Sequence, residues 1–184
     1  MNRHRCARPP ARGHTLWELA TVLAIVAALA AAAVPGFSRI RASSALAAGA
    51  DRLLGTLHFA RSHAILVGQP TVVCLTADGA SCVGRGVARA RAWIVFENSR
   101  AEFTPVRDPD EAILRSHALG SDTEVRASRG AVTFWPTARA GMTSTFEFCS
   151  AIAGITARAV IVSQTGRPRL RVGVPRGAVS RCTG

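Results

Sequence analysis

The chain has 184 residues, with 23 arginines and no lysine set against 11 acids, for a formal net charge of +12. That length holds one domain with a real core plus an appendage, and hardly two domains. The charge suits an anionic partner such as nucleic acid or lipid head groups, and it equally suits a solvated basic surface.

The first thirteen residues carry Arg3, Arg5, Arg8 and Arg12 and end in Gly13. From Leu19 to Val34 the chain then holds no charge and almost no polar atom. Such a run approaches the ~20 residues that a helix needs to cross a bilayer, and the arginines ahead of it place the N-terminus on the cytoplasmic side. The expectation is a single-pass membrane anchor with everything after it on the far side of the membrane. A secretory signal cleaved near Ala31 to Ala33 is the rival reading, but Glu18 at the leading edge of the run fits poorly in an apolar signal core. A carboxylate there costs less than the roughly 2.5–3.5 kcal/mol expected at the bilayer centre. It therefore needs either a partner or a place at head-group depth.

Pro35 and Gly36 are expected to interrupt the helix, since proline forfeits one backbone hydrogen bond and kinks it. Beyond them Phe37, Ile40, Leu46, Ala50, Leu53, Leu54, Leu57, Ala60, Ala64 and Ile65 recur at steps of three or four, with Arg39, Arg41, Asp51, Arg52 and Arg61 mostly between them. That spacing predicts one long helix, apolar all round at first and amphipathic later, ended by Gly68 and Pro70.

After Pro70 the chain reads as short strands. "TVVCL", "AWIVF", "AVTFW", "TFEFC", "AVIVS" and "RLRVGV" are rich in β-branched and aromatic residues, with turn formers such as Asp78-Gly79 and Pro136 between them. The polar stretch from Asn98 to Thr123 reads as a loop region with one strand near "AILRSH". The second half of the helix needs an apolar surface to cover, and one antiparallel sheet supplies it. The fold class is therefore α+β, a long N-terminal helix packed on an antiparallel β-sheet domain. The expected divisions are a leader at 1–13, a membrane helix at 14–36, an amphipathic half at 37–68 and a β-rich domain at 69–184.

Four cysteines, Cys74, Cys82, Cys149 and Cys182, follow the apolar run and Cys6 precedes it. Four thiols on the far side of a membrane are expected to form two disulfides, with three connectivities open. Cys74 with Cys82 closes a short loop, and Cys149 with Cys182 pins the C-terminus. A zinc site is disfavoured because no C-x-x-C spacing occurs and His58, His63 and His117 are not grouped with the thiols. No catalytic or nucleotide-binding motif is present, so neither an enzymatic activity nor a cofactor is expected.

Charge is segregated along the domain. From Val125 to Gly184 nine arginines face the single acid Glu147, whereas from Glu97 to Glu124 three arginines face seven acids. Arg167, Arg169 and Arg171 alternate, so on a strand they share one face, about 6.6–6.8 Å apart. That interval matches every second phosphate of a DNA strand. The same charges equally suit an edge strand protected from aggregation.

The leader ending in Gly13, the stretch "HTLWEL" with Glu18 as the fifth residue after that glycine, and Pro35 as the twenty-second together resemble the class III signal of type IV pilins and pseudopilins. Further on, "ARSHAI" followed by a glycine and a cysteine-bearing strand, and "GRPR" at Gly166 to Arg169, are similar to the GspH/FimT branch of minor pilins. The resemblance implies the type IV pilin-like fold. It also implies cleavage between Gly13 and His14 by a prepilin peptidase, methylation of the new amino terminus, and assembly with other pilins or pseudopilins. His14 stands where the family commonly has Phe, and Trp17 where it commonly has Ile. In such filaments the glutamate meets the N-terminal amine of a neighbouring subunit, and this role falls here on Glu18. The carboxylate and ammonium then relieve each other's desolvation. The role implied is a minor pilin of a type IV pilus, with sequence-independent DNA capture as proposed for FimT-like members. A minor pseudopilin of a type II secretion system and an unrelated signal-anchored binding domain are the alternatives.

Overall fold

Leu46, Ala50, Leu53, Leu57, Ala60 and Ala64 step along the chain by four and three residues, and all six are buried. They form one stripe of α1 (Leu16–Val67), a helix of 52 residues. The computed structural model describes residue 13 and residues 15–84, 88–100, 106–137, 140 and 143–173. Its two compact units are Met1–Ser38 and Arg39–Gly184.

In the first unit the apolar side chains of α1, among them Leu16, Trp17, Leu19, Leu23 and Leu29, are exposed. Among the described residues α1 is the one helix long and apolar enough to cross a membrane. The expected interruption at Pro35 and Gly36 does not occur, because α1 continues through both. Proline forfeits a single N–H, and the alanine-rich turn before it favours the helix strongly enough to carry the ladder on.

In the second unit the buried stripe begins at Ala42, while Ile40 stays exposed. Among the described residues nine strands follow: β1 (Thr71–Thr76), β2 (Ala88–Ala90), β3 (Ala92–Glu97), β4 (Ile113–Ala118), β5 (Thr123–Ala127), β6 (Ala131–Phe134), β7 (Ser144–Ser150), β8 (Arg158–Val162) and β9 (Pro168–Val172). They form two sheets where the sequence predicts one, in the orders β4-β3-β1-β6 and β2-β5-β7-β8-β9. Every pairing is antiparallel. The short β2 and the charge-bearing β5 were not expected as strands. Both present alanine or valine inward at every second position, Ala88, Ala90, Val125 and Ala127, and that period is what buries them.

The helix stripe shares one core with both sheets, through Val73, Leu75, Trp93 and Val95 on the first and Val125, Phe146, Phe148 and Val160 on the second. Gly49 marks the closest approach, since a Cβ there would lie 2.8 Å from Leu119 Cδ2 and 3.3 Å from Phe148 Cδ1. Trp93 joins sheet to helix by a polar bond as well. Its indole N–H donates to Thr56 Oγ1 at 3.3 Å, and that hydroxyl donates in turn to the Arg52 carbonyl at 2.8 Å. The other face of the first sheet is also covered, with Val72, Cys74, Ile94 and Phe96 in a second, smaller cluster. This explains why β1 reads as an unbroken apolar run.

Cys74 and Cys82 form a disulfide, and the loop that it closes is organised by Asp78. The Asp78 carboxylate accepts hydrogen bonds from Ser81 Oγ at 2.6 Å, the Ser81 and Ala80 N–H groups at 2.8 and 2.9 Å, and Thr76 Oγ1 at 2.9 Å. These bonds, the Ser81 hydroxyl first, hold its carboxyl well below its ordinary value of 3.8. Folding therefore favours the ionised form, which contributes stability above the unfolded value and loses it as the pH falls toward the folded one. Asp78→Asn should lower Tm at neutral pH, and its deficit against the parent should shrink between about pH 4 and pH 2. A deficit that stays constant over that range in thermal scans would show that these bonds do not depend on the charge.

Candidate functional site

Three surfaces carry the chemistry singled out by the sequence or exposed by the fold. The first is the start of α1. Gly13 is exposed, with no heavy atom within 4 Å of where a Cβ would stand; His14 and the leader residues 1–12 lie outside the described residues. Thr15 caps the helix, its Oγ1 accepting from the Glu18 N–H at 3.3 Å while its carbonyl accepts from the Leu19 N–H at 3.1 Å. The pattern Thr15-x-x-Glu18 is that of a capping box, a signal present in the sequence itself. Glu18 therefore has a local role: a carboxylate in the first turn stabilises the helix N-terminus. Pro35 lies within α1.

The second surface is the edge of the larger sheet. Gly166, at φ +70°, closes the turn between β8 and β9, a left-handed conformation that a side chain disfavours. The Gly166 N–H donates to the Ser163 carbonyl at 2.9 Å, and Arg61 Nη1 of α1 donates to the Gly166 carbonyl at 3.3 Å. The "GRPR" stretch is thus a turn followed by an edge strand. Arg167 stands just before β9, while Arg169 and Arg171 lie on it, both exposed, with Leu170 between them packed against the core.

Opposite β9, Ile161 pairs with Arg169 and Ala159 with Arg171. Further into the same face Glu147, itself buried, pairs with both Ala159 and Arg126, and Arg126 with Arg89. Glu124 bridges to Arg126 and, at 3.7 Å, to Arg89. Arg89 and Arg126 are therefore balanced locally. Arg167, Arg169 and Arg171 have no carboxylate partner among the described residues. Arg139, Arg176 and Arg181 lie outside the described residues, so the positive segment read from the sequence is represented here by its β9 portion.

The disulfide uses Cys74 and Cys82 and so removes both thiols as metal ligands. Cys149 is disulfide-bonded as well; its partner lies outside the described residues, as do Cys182 and Cys6.

The third surface is a cleft of about 300 Å³ between α1 and β4, lined by Arg52, Gly55, Thr56, Trp93, Arg115 and His117. No sequence motif announced it, because its residues come from positions 52 to 117. Arg52 Nη1 donates to His117 Nδ1 at 3.4 Å, which requires the ring to be neutral with its proton on Nε2. Burial, and then the charge of Arg52, push the imidazole below its ordinary 6.5 and keep it neutral. The His117 ring lies 4.7 Å from that of Trp93. Arg115 stacks over the Phe59 ring at 3.6 Å, a cation–π arrangement that fixes the guanidinium in place.

The type IV minor pilin FimU of Pseudomonas aeruginosa is similar in structure at 18% identity with a TM-score of 0.50, covering 79% of this chain and 97% of that one. The minor pseudopilin EpsH of the Vibrio cholerae type II secretion system aligns at 12% identity and a TM-score of 0.49, over 74% and 99% of the two chains. GspH of E. coli aligns at 12% identity and 0.47, over 77% and 93%. No curated protein matches by sequence. The family model described as type II transport protein GspH matches residues 49–166, from the buried stripe of α1 to the turn at Gly166. That span is well over half of the chain and contains both sheets except β9, and the chain belongs to the GspH family.

Proposed function

We propose that the chain is cut between Gly13 and His14 by a prepilin peptidase, is anchored in the inner membrane by the first part of α1 with its β-domain in the periplasm, and enters a type IV filament. There it acts as a minor pilin or pseudopilin. The observation that carries this reading is the helix start: an exposed Gly13 stands immediately before a capped helix whose first turn holds Glu18. Cleavage after Gly13 creates an ammonium group four residues ahead of a carboxylate. In an apolar bundle the carboxylate of one subunit and the ammonium of the next compensate each other, whereas either alone pays the full desolvation cost. Subunit register follows from that pairing. The family match and the apolar helix support the reading, and the pairing of Cys149 with Cys182 belongs to it as a clamp on the C-terminus.

Replacing Gly13 with a bulky residue should leave a membrane-retained precursor longer by thirteen residues, read by mass spectrometry. Glu18→Ala should insert normally and be depleted from sheared filaments; equal recovery of mutant and parent would remove the pairing role. A mature chain beginning after Ala33 would replace the whole reading with that of a cleaved signal peptide.

A second reading concerns β9. Arg169 and Arg171 are exposed on an edge strand without a carboxylate partner among the described residues, which favours capture of phosphates along a nucleic acid backbone. This reading points to a DNA-uptake pilus rather than a secretion system. The intact chain in detergent should then bind random duplexes with log affinity falling linearly against log salt. Arg169→Gln with Arg171→Gln should reduce the slope by about 2, one unit per phosphate contact. An unchanged slope would leave these arginines as a charged guard on the sheet edge and favour the secretion pseudopilin.

A further inference from the structure

We propose that the cleft between α1 and β4, walled by Arg52 and Arg115 and floored by Gly55, is a socket for a carboxylate side chain of a neighbouring filament subunit. The inference rests on the reading of the chain as a subunit that assembles with others.

Charge pairing supplies the first argument. Three arginines of the domain, Arg100 at 3.3 Å from Asp108 and Arg89 and Arg126 on Glu124, find acids within the chain, whereas the β9 arginines find none among the described residues. Arg52 and Arg115 have no carboxylate partner among the described residues, and no acid lines the cleft. Their contacts are with neutral groups, the His117 ring and the Phe59 face. Those contacts hold each guanidinium in place without neutralising it. A planar fork of donors held in this way is suited to a carboxylate.

Gly55 supplies the second. It sits in the interior of α1, where glycine is the least favourable residue after proline. At Gly49 the close approach of Leu119 and Phe148 explains the missing side chain, but a Cβ on Gly55 would meet nothing within 4 Å. Gly55 is exposed at the border of the cleft, so the missing side chain leaves the mouth open to a group entering from outside.

Shape and surroundings supply the third. A volume of about 300 Å³ accepts a side chain. Trp93, almost wholly buried, forms part of the wall, and an apolar wall strengthens a charge-assisted hydrogen bond relative to open water. The cleft also opens beside β4, which is the outermost strand of its sheet, so a neighbour reaches it without displacing a strand.

The probes are a capped tetraglutamate peptide, the matching tetraglutamine peptide and inorganic phosphate, each titrated into the full chain in detergent micelles while the ring signals of His117 are followed by NMR. Tetraglutamate should shift His117 saturably and tetraglutamine should not. Arg52→Gln and Arg115→Gln should each weaken binding at least tenfold. Gly55→Leu should abolish it with no loss of Tm, because it adds a helix-favouring side chain to open space, and in cells should reduce recovery in sheared filaments at least fivefold at an unchanged membrane level. The proposal is overturned by a Gly55→Leu chain that binds or assembles like the parent, by the absence of any His117 shift at millimolar tetraglutamate, or by phosphate binding more tightly than tetraglutamate. The peptide titration is independent of processing. A chain that binds tetraglutamate yet never enters filaments contradicts the filament reading and leaves the binding cleft standing, whereas a chain that assembles without binding contradicts the socket alone.

Discussion

The stripe from Leu46 to Ala64 is the interaction on which the second unit depends. Neither sheet is closed on itself, and each presents large apolar side chains, Trp93 from one and Phe146 and Phe148 from the other, that need a common cover. A helix stepping by four and three residues offers a straight seam, and half of its six buried positions are alanine. Small residues on the helix and aromatic residues on the sheets make complementary surfaces at close range, and Gly49 extends the approach. At about 25 cal/mol per Å² of apolar surface removed from water, one seam serving two sheets gains more than a helix resting on either alone. The bond from Trp93 to Thr56 then fixes rotation about the helix axis, because a buried indole N–H left without an acceptor is costly.

With the inner face of the helix committed in this way, its outer face and flanks are free to carry charge. Arg52 and Arg61 both use that freedom, Arg61 to hold the turn at Gly166 and Arg52 to border the cleft. The turn at Gly166 in turn sets where β9 begins, so the β9 arginines are positioned by a residue of the helix more than a hundred positions earlier. The +12 of the sequence is therefore not one uniform field. It resolves into arginines balanced by nearby acids, around Glu124 and Asp108, and arginines that keep their charge, in the cleft and along β9.

Glu18 shows how one residue serves two levels of organisation. In the single chain it belongs to the first turn of a helix capped by Thr15, where a carboxylate is favourable whatever lies around it. The proposed filament role adds to that local stabilisation a second partner for the same carboxylate, an amine of a neighbouring subunit.

Periodicity determined most of the architecture before any tertiary contact was known. Steps of three and four predicted α1, and runs of β-branched and aromatic residues predicted six of the nine described strands, because helices and strands that bury one face must repeat with their own period. The pairing of Cys74 with Cys82 was legible from their short separation. Other features existed only in three dimensions. The division into two sheets depends on which strands pair, and β2 and β5 carry arginine and glutamate outward, so that they look like loop until a partner strand hides their alanines and valines. The cleft could not be read at all, since Arg52, Trp93 and Arg115 are adjacent only after the helix is laid across β3 and β4. A sequence displays the periods of its elements directly, but a site built from several elements is set by the packing between them, which depends on side chains far apart in the chain.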